Sequence, residues 1–329
     1  RSGIQSIVYP SGHTDSLDVA VRRAVLTGVN QTAAKLSEAR AEEMGCDLVE
    51  TTAHPGARPT HALWQGQIFS RSGRHPKYPD FVSSTGYGTG AGLCGWNCRH
   101  SFFPFFEGLS ESAYPRSKLR EYEEKTVTYN GKTLSYYDAT QQQRYIERQI
   151  RRWKREYLMM DAAGLDTTQA SVKLAQWRAA EKDFCKQTGL DKDGFRSQII
   201  GFGKSEAAKA RSIFTKSLLP NYKNAEIPIE KFTKYALNMD HPKGKDKAIA
   251  FEKALGYNIN NVDDLITDIY KNLSSYPAKL RPKTQYGQPF EVRMLLTGPN
   301  GKTAYVKTGW IINAGDKNPR LTSAYVDGR

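Results

Sequence analysis

Cysteine is scarce in this chain. Cys46, Cys94, Cys98 and Cys185 are all that its 329 residues hold, too few for a disulfide-built fold of this length. Long hydrophobic runs are missing too. No stretch approaches the ~18 apolar residues of a membrane-spanning helix, which excludes an integral membrane protein of that kind. There is no initiator methionine and no signal-peptide pattern at Arg1-Ser2-Gly3, so a segment of a longer protein, or a processed one, is expected. Apolar residues in general are not in deficit. At 39% hydrophobic and 25% charged, the composition is that of folded globular material, and the length suits about two domains.

Acidic residues are outnumbered, with 34 Asp and Glu against 48 Lys and Arg for a net charge of +14. Such an excess suits an anionic partner (nucleic acid, an acidic protein surface or lipid headgroups) or simply a soluble basic surface. Residues 231–329 hold sixteen basic against nine acidic side chains, half of the net excess.

The Cys-x-x-Cys knuckle of zinc sites is absent. Cys94 and Cys98 are four apart beside His100, with His54 and His61 upstream. Two Cys and two His suit tetrahedral zinc, but cysteine is commonly just a small buried residue. Cys94 and Cys98 are therefore expected to be reduced and metal-free. Gly90, Gly92 and Gly95 spell G-x-G-x-x-G, yet Trp96-Asn97-Cys98-Arg99-His100 follows, which is poor helix material. A phosphate cradle needs a helix N-terminus there, so no dinucleotide is expected and no cofactor is assigned.

Residues 15–45 read as a helix with Val21, Ala24, Val25 and Gly28 on one face and a stop at Met44-Gly45. Residues 54–108 read as loop-rich, and 126–137 as a hairpin turning on Asn130-Gly131. A helix over 139–160 carries Ile146, Ile150, Trp153 and Tyr157 on one face. Arg144, Arg148, Arg151 and Arg155 repeat that spacing about 200° round the helix. This stripe reads either as a solvated face or as an electrostatic footprint for DNA or an acidic partner. Helices over 167–188 and 205–217 follow. Two prolines, Pro220 and Pro228, mark 220–228 as a linker between a region 1–219 and a domain 229–329.

Several blocks in the first region resemble the phage minor capsid protein 2 family, relatives of the Mu F-like head proteins. They are His54-Pro55-Gly56-Ala57-Arg58-Pro59-Thr60-His61-Ala62-Leu63-Trp64-Gln65-Gly66, then Thr85-Gly86-Tyr87-Gly88, Asn97-Cys98-Arg99-His100-Ser101 with Pro104, and Tyr136-Tyr137-Asp138-Ala139-Thr140-Gln141. The resemblance spans roughly residues 1–215. It implies a virion component with portal and capsid proteins as partners, and it implies no catalytic activity. The family's usual N-terminal half has no counterpart in these blocks. His54, Arg58, His61, Trp64, Arg99 and His100 read as a polar cluster that either knits the loops together or forms a site.

In 229–329 short helices are expected over 229–237 and 246–255, the second stopped by Gly256. A third begins at Asn261, and strands follow over 290–297, 303–312 and 320–326. With Asn300-Gly301 as a two-residue turn, Thr297 pairs with Ala304, Leu295 with Val306, Arg293 with Thr308, and Glu291 with Trp310. That register puts Glu291, Arg293, Thr308 and Trp310 at the polar end of one face, which Arg320 and Thr322 join if the third strand pairs with the second. His241, Lys243 and Lys245 lie in a basic loop feeding a helix N-terminus, which suits a phosphate. Together His241, Lys243, Lys245, Arg293, Thr308, Arg320 and Thr322 could supply the base, cations and donor of a metal-independent RNA cleavage, or they are ordinary surface charges.

Leu237-Asn238, His241-Pro242-Lys243-Gly244, Lys247-Ala248, Leu255-Gly256-Tyr257, Gly298-Pro299-Asn300-Gly301-Lys302, Trp310-Ile311 and Pro319-Arg320-Leu321-Thr322 resemble a domain at the ends of phage head proteins and polymorphic toxins. Its layout is similar to the barnase–EndoU–colicin–RelE group of small RNases. The resemblance implies an effector delivered to the bacterial cytoplasm, with an immunity protein as a possible partner. The expected fold is α+β: a loop-rich capsid region with long helices, then helices followed by an antiparallel sheet. Two other readings stand beside the effector. One is a purely structural head protein touching packaged DNA or the portal, and the other a nucleic-acid- or immunity-binding module without turnover.

Overall fold

The computed structural model describes residues 6–328, so Arg1-Ser2-Gly3 lies outside the described residues. The fold is α+β, with every sheet antiparallel between its named strands. The chain divides into two units, one of residues 1–142 with 187–190 and one of 143–186 with 191–329.

In the first unit β1 (Ser6–Val8) pairs with β2 (Thr14–Ser16), and α1 (Leu17–Glu43) follows. Gly45 closes α1 with φ +59°, where a side chain would be strained. β3 (Leu48–Thr51) is the centre of a three-stranded sheet. Its flanking strands are β4 (Ile68–Ser70), after the single turn α2 (Pro59–Ala62), and β5 (Phe102–Pro104), after α3 (Phe81–Thr85). Val49, Phe69, Phe81 and Phe102 form the core there with Ala34 and Ala41 of α1. The face that carries Val21 and Val25 is turned out: both are exposed. Alanine lets the helix approach the sheet closely, so the small residues face in. α4 (Arg116–Glu124) leads to the hairpin β6 (Thr126–Tyr129) and β7 (Lys132–Ser135). Its turn is as expected: Asn130 and Gly131 both take positive φ, and Tyr129 pairs with Lys132.

The second unit takes up α5 (Tyr136–Ala162) from Gln143, most of α6 (Thr168–Thr188) and α7 (Lys204–Ser217). A separate core then gathers around Phe232, Phe251, Tyr257 and Trp310. Its helices are α8 (Lys245–Leu255) and α9 (Val262–Leu273), the latter burying Val262, Leu265, Ile269 and Leu273 on one stripe. Its sheet runs β11-β10-β9-β8, from β8 (Ala278–Leu280), β9 (Gly287–Thr297), β10 (Thr303–Asn313) and β11 (Arg320–Val326). Residues 220–228, expected as a linker, pack into this domain. Ala225 is in the core, the Glu226 amide donates to the Pro319 carbonyl at 2.8 Å, and the Leu321 amide returns a bond to Glu226 at 2.8 Å.

The β9–β10 register differs from the expected one by one residue. Thr297 pairs with Thr303, Arg293 with Lys307, and Val292 with Thr308. The turn is wider than Asn300-Gly301 alone. The Gly298 amide donates to Lys302, and of Asn300 and Gly301 only Gly301 takes positive φ. A one-residue shift exchanges the two faces of a strand. Val306, Thr308 and Trp310 therefore point into the core, and Tyr305 points out.

Candidate functional site

The seven residues expected to form a site in the C-terminal domain fall in four places. His241, Lys243 and Lys245 stand at the start of α8. The His241 Nδ1 accepts backbone N–H bonds from Lys243 at 3.1 Å and Gly244 at 3.0 Å. Its ring lies edge-on to Tyr235, centroids 4.8 Å apart. This nitrogen is spent on orienting the helix start, which leaves Nε2 for proton transfer. Lys243 and Lys245 are exposed, and Lys247 lies 4.7 Å over the Tyr235 ring.

Arg293 lies on the outer sheet face. Its Nε donates to Asp327 Oδ2 at 2.6 Å, its guanidinium sits 3.7 Å over the Tyr305 ring, and both partners hold it firmly in its charged form. Lys307 stands 3.9 Å from Glu291 and 3.8 Å from Asp327 in the same network. Thr308 is not on this face. It is fully buried, donates to the Val292 carbonyl at 3.1 Å and accepts from Trp310 Nε1 at 2.8 Å. Thr308 is therefore not the surface donor that the sequence suggests. Arg320 and Thr322 are exposed on β11. A bulge opposite Gly309 and Trp310 sets Thr322 outside the pairing, and a Cβ on Gly309 would stand 3.0 Å from its Oγ1.

The arginine stripe of α5 is only partly a free face. Arg148 is exposed, with its guanidinium 5.9 Å from the Tyr145 ring, while Arg144, Arg151 and Arg155 are half-buried. Arg151 donates to the Arg196 carbonyl. The opposite side is less apolar than its spacing suggests. Ile146, Ile150 and Tyr157 are buried, but so are Glu147 and Lys154. Lys154 donates to the Ser197 carbonyl at 2.6 Å, and burial, aided by Arg178, pushes its ammonium down to about 8.

The polar cluster of the first unit is assembled, and more tightly than its residue types imply. The His100 ring stacks on His54 at 4.4 Å and meets Trp64 edge-on at 4.9 Å, and His61 lies 4.6 Å from Trp64. Arg58 caps one side, donating to the Trp96 carbonyl at 2.6 Å, whereas Arg99 is exposed at the rim. Two members carry no sequence signal: Gln65 is buried between His54 and His100, and Asn30 of α1 donates to the Cys98 and His100 carbonyls. Cys98, whose spacing to His100 the sequence shows, faces both His61 and His100. Burial pushes His100 down to about 3, with His54, His61 and Arg58 adding to the effect, and it also lowers His61. Burial raises the Cys98 thiol and pushes Cys94 up to about 12. The three glycines of the nominal fingerprint serve close packing. A Cβ on Gly92 would stand 2.0 Å from the Gly86 carbonyl oxygen, and one on Gly95 2.4 Å from that of Gly90. Turns, not a helix, follow Gly95.

A small, irregular sheet domain with a buried histidine–cysteine knot, joined to a second α+β domain, is the setting in which the chain's relatives become informative. Residues 1–186, more than half of the chain, match the phage minor capsid protein 2 family, and the chain belongs to that family. Residues 218–328 match a domain family of unknown function, DUF6883. A structural protein of Lactococcus phage LL-H is 30% identical over 154 residues, 45% of this chain and 38% of that protein. A structural protein of Lactococcus phage mv4 is 34% identical over 108 residues, 33% of this chain and 78% of that one. The match therefore spans well under two thirds of the LL-H protein. Among solved structures, a chain of a contact-dependent growth inhibition toxin–immunity protein complex from Klebsiella pneumoniae 342 aligns at 17% identity. Its TM-score is 0.27, over 33% of this chain and 97% of that one. No helix among the described residues is long and apolar enough to cross a membrane.

Proposed function

We propose that this phage structural protein resides in the virion as a minor head component and carries residues 218–328 as an effector that acts on nucleic acid in a bacterial cytoplasm. The observation that carries the reading is the second core. Residues from Leu219 to Ala324 close around their own apolar centre, so the domain is built as a module, and residues 231–329 hold half of the net positive charge. Arg293 and Thr308 are committed to internal partners. Contact with phosphates accordingly rests on Lys243, Lys245, Arg320 and Thr322, with His241 Nε2 as the atom that exchanges a proton. An immunity protein, where one is encoded, would cover the same basic surface.

The exposed Arg148 favours a second contact, with packaged DNA, which does not depend on the effector. The test is induction of the full chain in bacteria, with growth and total RNA followed together. Growth arrest with new 5′-hydroxyl RNA ends is expected, and Lys243→Ala with Arg320→Ala should relieve it at unchanged protein level. A harmless full chain that leaves RNA and DNA intact would overturn the effector reading and leave the structural one.

A further inference from the structure

We propose that His61, Cys98 and His100 bind a zinc ion through His61 Nδ1, His100 Nδ1 and Cys98 Sγ. These atoms converge from the end of α2 and from the loop before β5. The two Nδ1 atoms are 3.4 Å apart, and the sulfur is 3.7 Å from His61 Nδ1 and 3.6 Å from that of His100. With Zn–N about 2.0–2.1 Å and Zn–S about 2.3 Å, two ligands of a tetrahedron stand about 3.4 Å apart for an N–N pair and about 3.6 Å for an N–S pair. The three separations match this triangle to about 0.1 Å.

Hydrogen bonding on the far side of each ring points the same way. Gln65 Oε1 accepts the His54 backbone N–H at 3.1 Å, which identifies that atom as the oxygen. It lies 3.1 Å from His100 Nε2, so Nε2 carries the hydrogen. His61 Nε2 faces the Ala91 carbonyl at 2.9 Å and must also be the N–H. Both neutral rings therefore turn bare lone pairs toward each other at Nδ1. Two acceptors cannot bond one another, and the single Cys98 S–H can serve only one of them. A cation between them resolves the conflict, and burial opposes the alternative of a charged imidazolium. An outer N–H held by a carbonyl or amide oxygen is how metal-ligating histidines are commonly oriented. The His100 backbone N–H also donates to Cys98 Sγ at 3.4 Å, a bond that favours the thiolate. Two imidazoles and a thiolate suit zinc, which displaces the thiol proton to solvent on binding.

The sequence spacing couples Cys98 to Cys94, but the geometry couples it to His61 and His100. Cys94 Sγ instead faces the His100 carbonyl at 3.5 Å and lies outside this group of ligand atoms, so a water takes the fourth position. The ion would tie α2 to the loop that Asn30 already anchors to α1.

The test uses the full chain, purified from zinc-supplemented cells and dialysed against a weak chelator. One zinc per chain is expected by elemental analysis. Cobalt(II) added to the zinc-stripped protein should give tetrahedral d–d bands and a thiolate-to-cobalt charge-transfer band. Cys98→Ser should abolish that band, whereas Cys94→Ser should retain it. Gln65→Ala keeps all three ligands and should weaken zinc binding by roughly 10–100-fold through loss of ring orientation. Substoichiometric zinc with no charge-transfer band in the wild-type chain would overturn the proposal, and so would full zinc retention in His61→Ala and Cys98→Ser. Should the ligand variants not fold, the wild-type cobalt spectrum still decides.

Discussion

Replacing Thr308 by valine keeps the side-chain shape and removes one hydroxyl. The Trp310 indole N–H, on a residue only 1% exposed, loses the acceptor it has at 2.8 Å. An unsatisfied buried donor costs about 1–3 kcal/mol, and the added methyl returns roughly 0.8 kcal/mol of that. With the bond from Thr308 to the Val292 carbonyl at 3.1 Å lost as well, a net loss of about 1–2 kcal/mol is expected. On an exposed face the same change would stay within about ±0.5 kcal/mol, and valine's strand preference would favour it. The two registers of the β9–β10 hairpin thus give different outcomes. Hydrogen exchange of the Trp310 indole in the full chain is the sharpest readout, because it reports opening of this core alone. A loss of that size should speed exchange by roughly 5–30-fold. Thr308→Ser, which keeps the hydroxyl, should retain the slow indole. Unchanged exchange in Thr308→Val would refute the inward placement and restore the pairing of Thr297 with Ala304.

Two further outcomes follow from close packing and from a buried charge. Gly298→Ala would place a Cβ 1.8 Å from the Leu255 carbonyl oxygen, backbone against backbone. A loss of about 1–3 kcal/mol is expected, visible as a lowered thermal midpoint; an unchanged midpoint would contradict the approach of the turn to α8. Lys154 has its pKa lowered in the folded state to about 8 from 10.5. Between those values the unfolded chain binds the extra proton, so the Lys154 contribution to stability rises with pH across that window. Lys154→Met should remove this part of the pH slope in thermal unfolding and be relatively most stabilising below pH 8. An identical slope in both proteins would count against a buried ammonium.

Local turn chemistry was readable where two residues alone decide it. Asn130-Gly131 closes its hairpin as expected because both residues take positive φ. The same dipeptide at Asn300-Gly301 misled, since Gly298 and Lys302 close the loop outside it and shift β10 by one residue. Long helices with strong periodicity were readable to within a few residues, as for α5 and α6. The face of α1 was not, because its buried positions are alanines while its branched residues are exposed. β3 has no alternating signature in the sequence, because Leu48, Val49, Glu50 and Thr51 are all buried. In the histidine cluster the residue types were visible in sequence. Which ring atoms meet depends on Gln65 and the Ala91 carbonyl, and neither carries a spacing signal. Arg293 looked free because its partner Asp327 comes from the far end of the domain.

The central claim is that a minor head protein carries the C-terminal domain into the particle as part of one polypeptide. Quantitative mass spectrometry of purified phage particles tests it directly, by comparing peptides from residues 6–186 with peptides from residues 218–328. Equal molar amounts of both, persisting through density-gradient purification, are the expected result. Particles that contain the first set without the second, or neither, would contradict the claim.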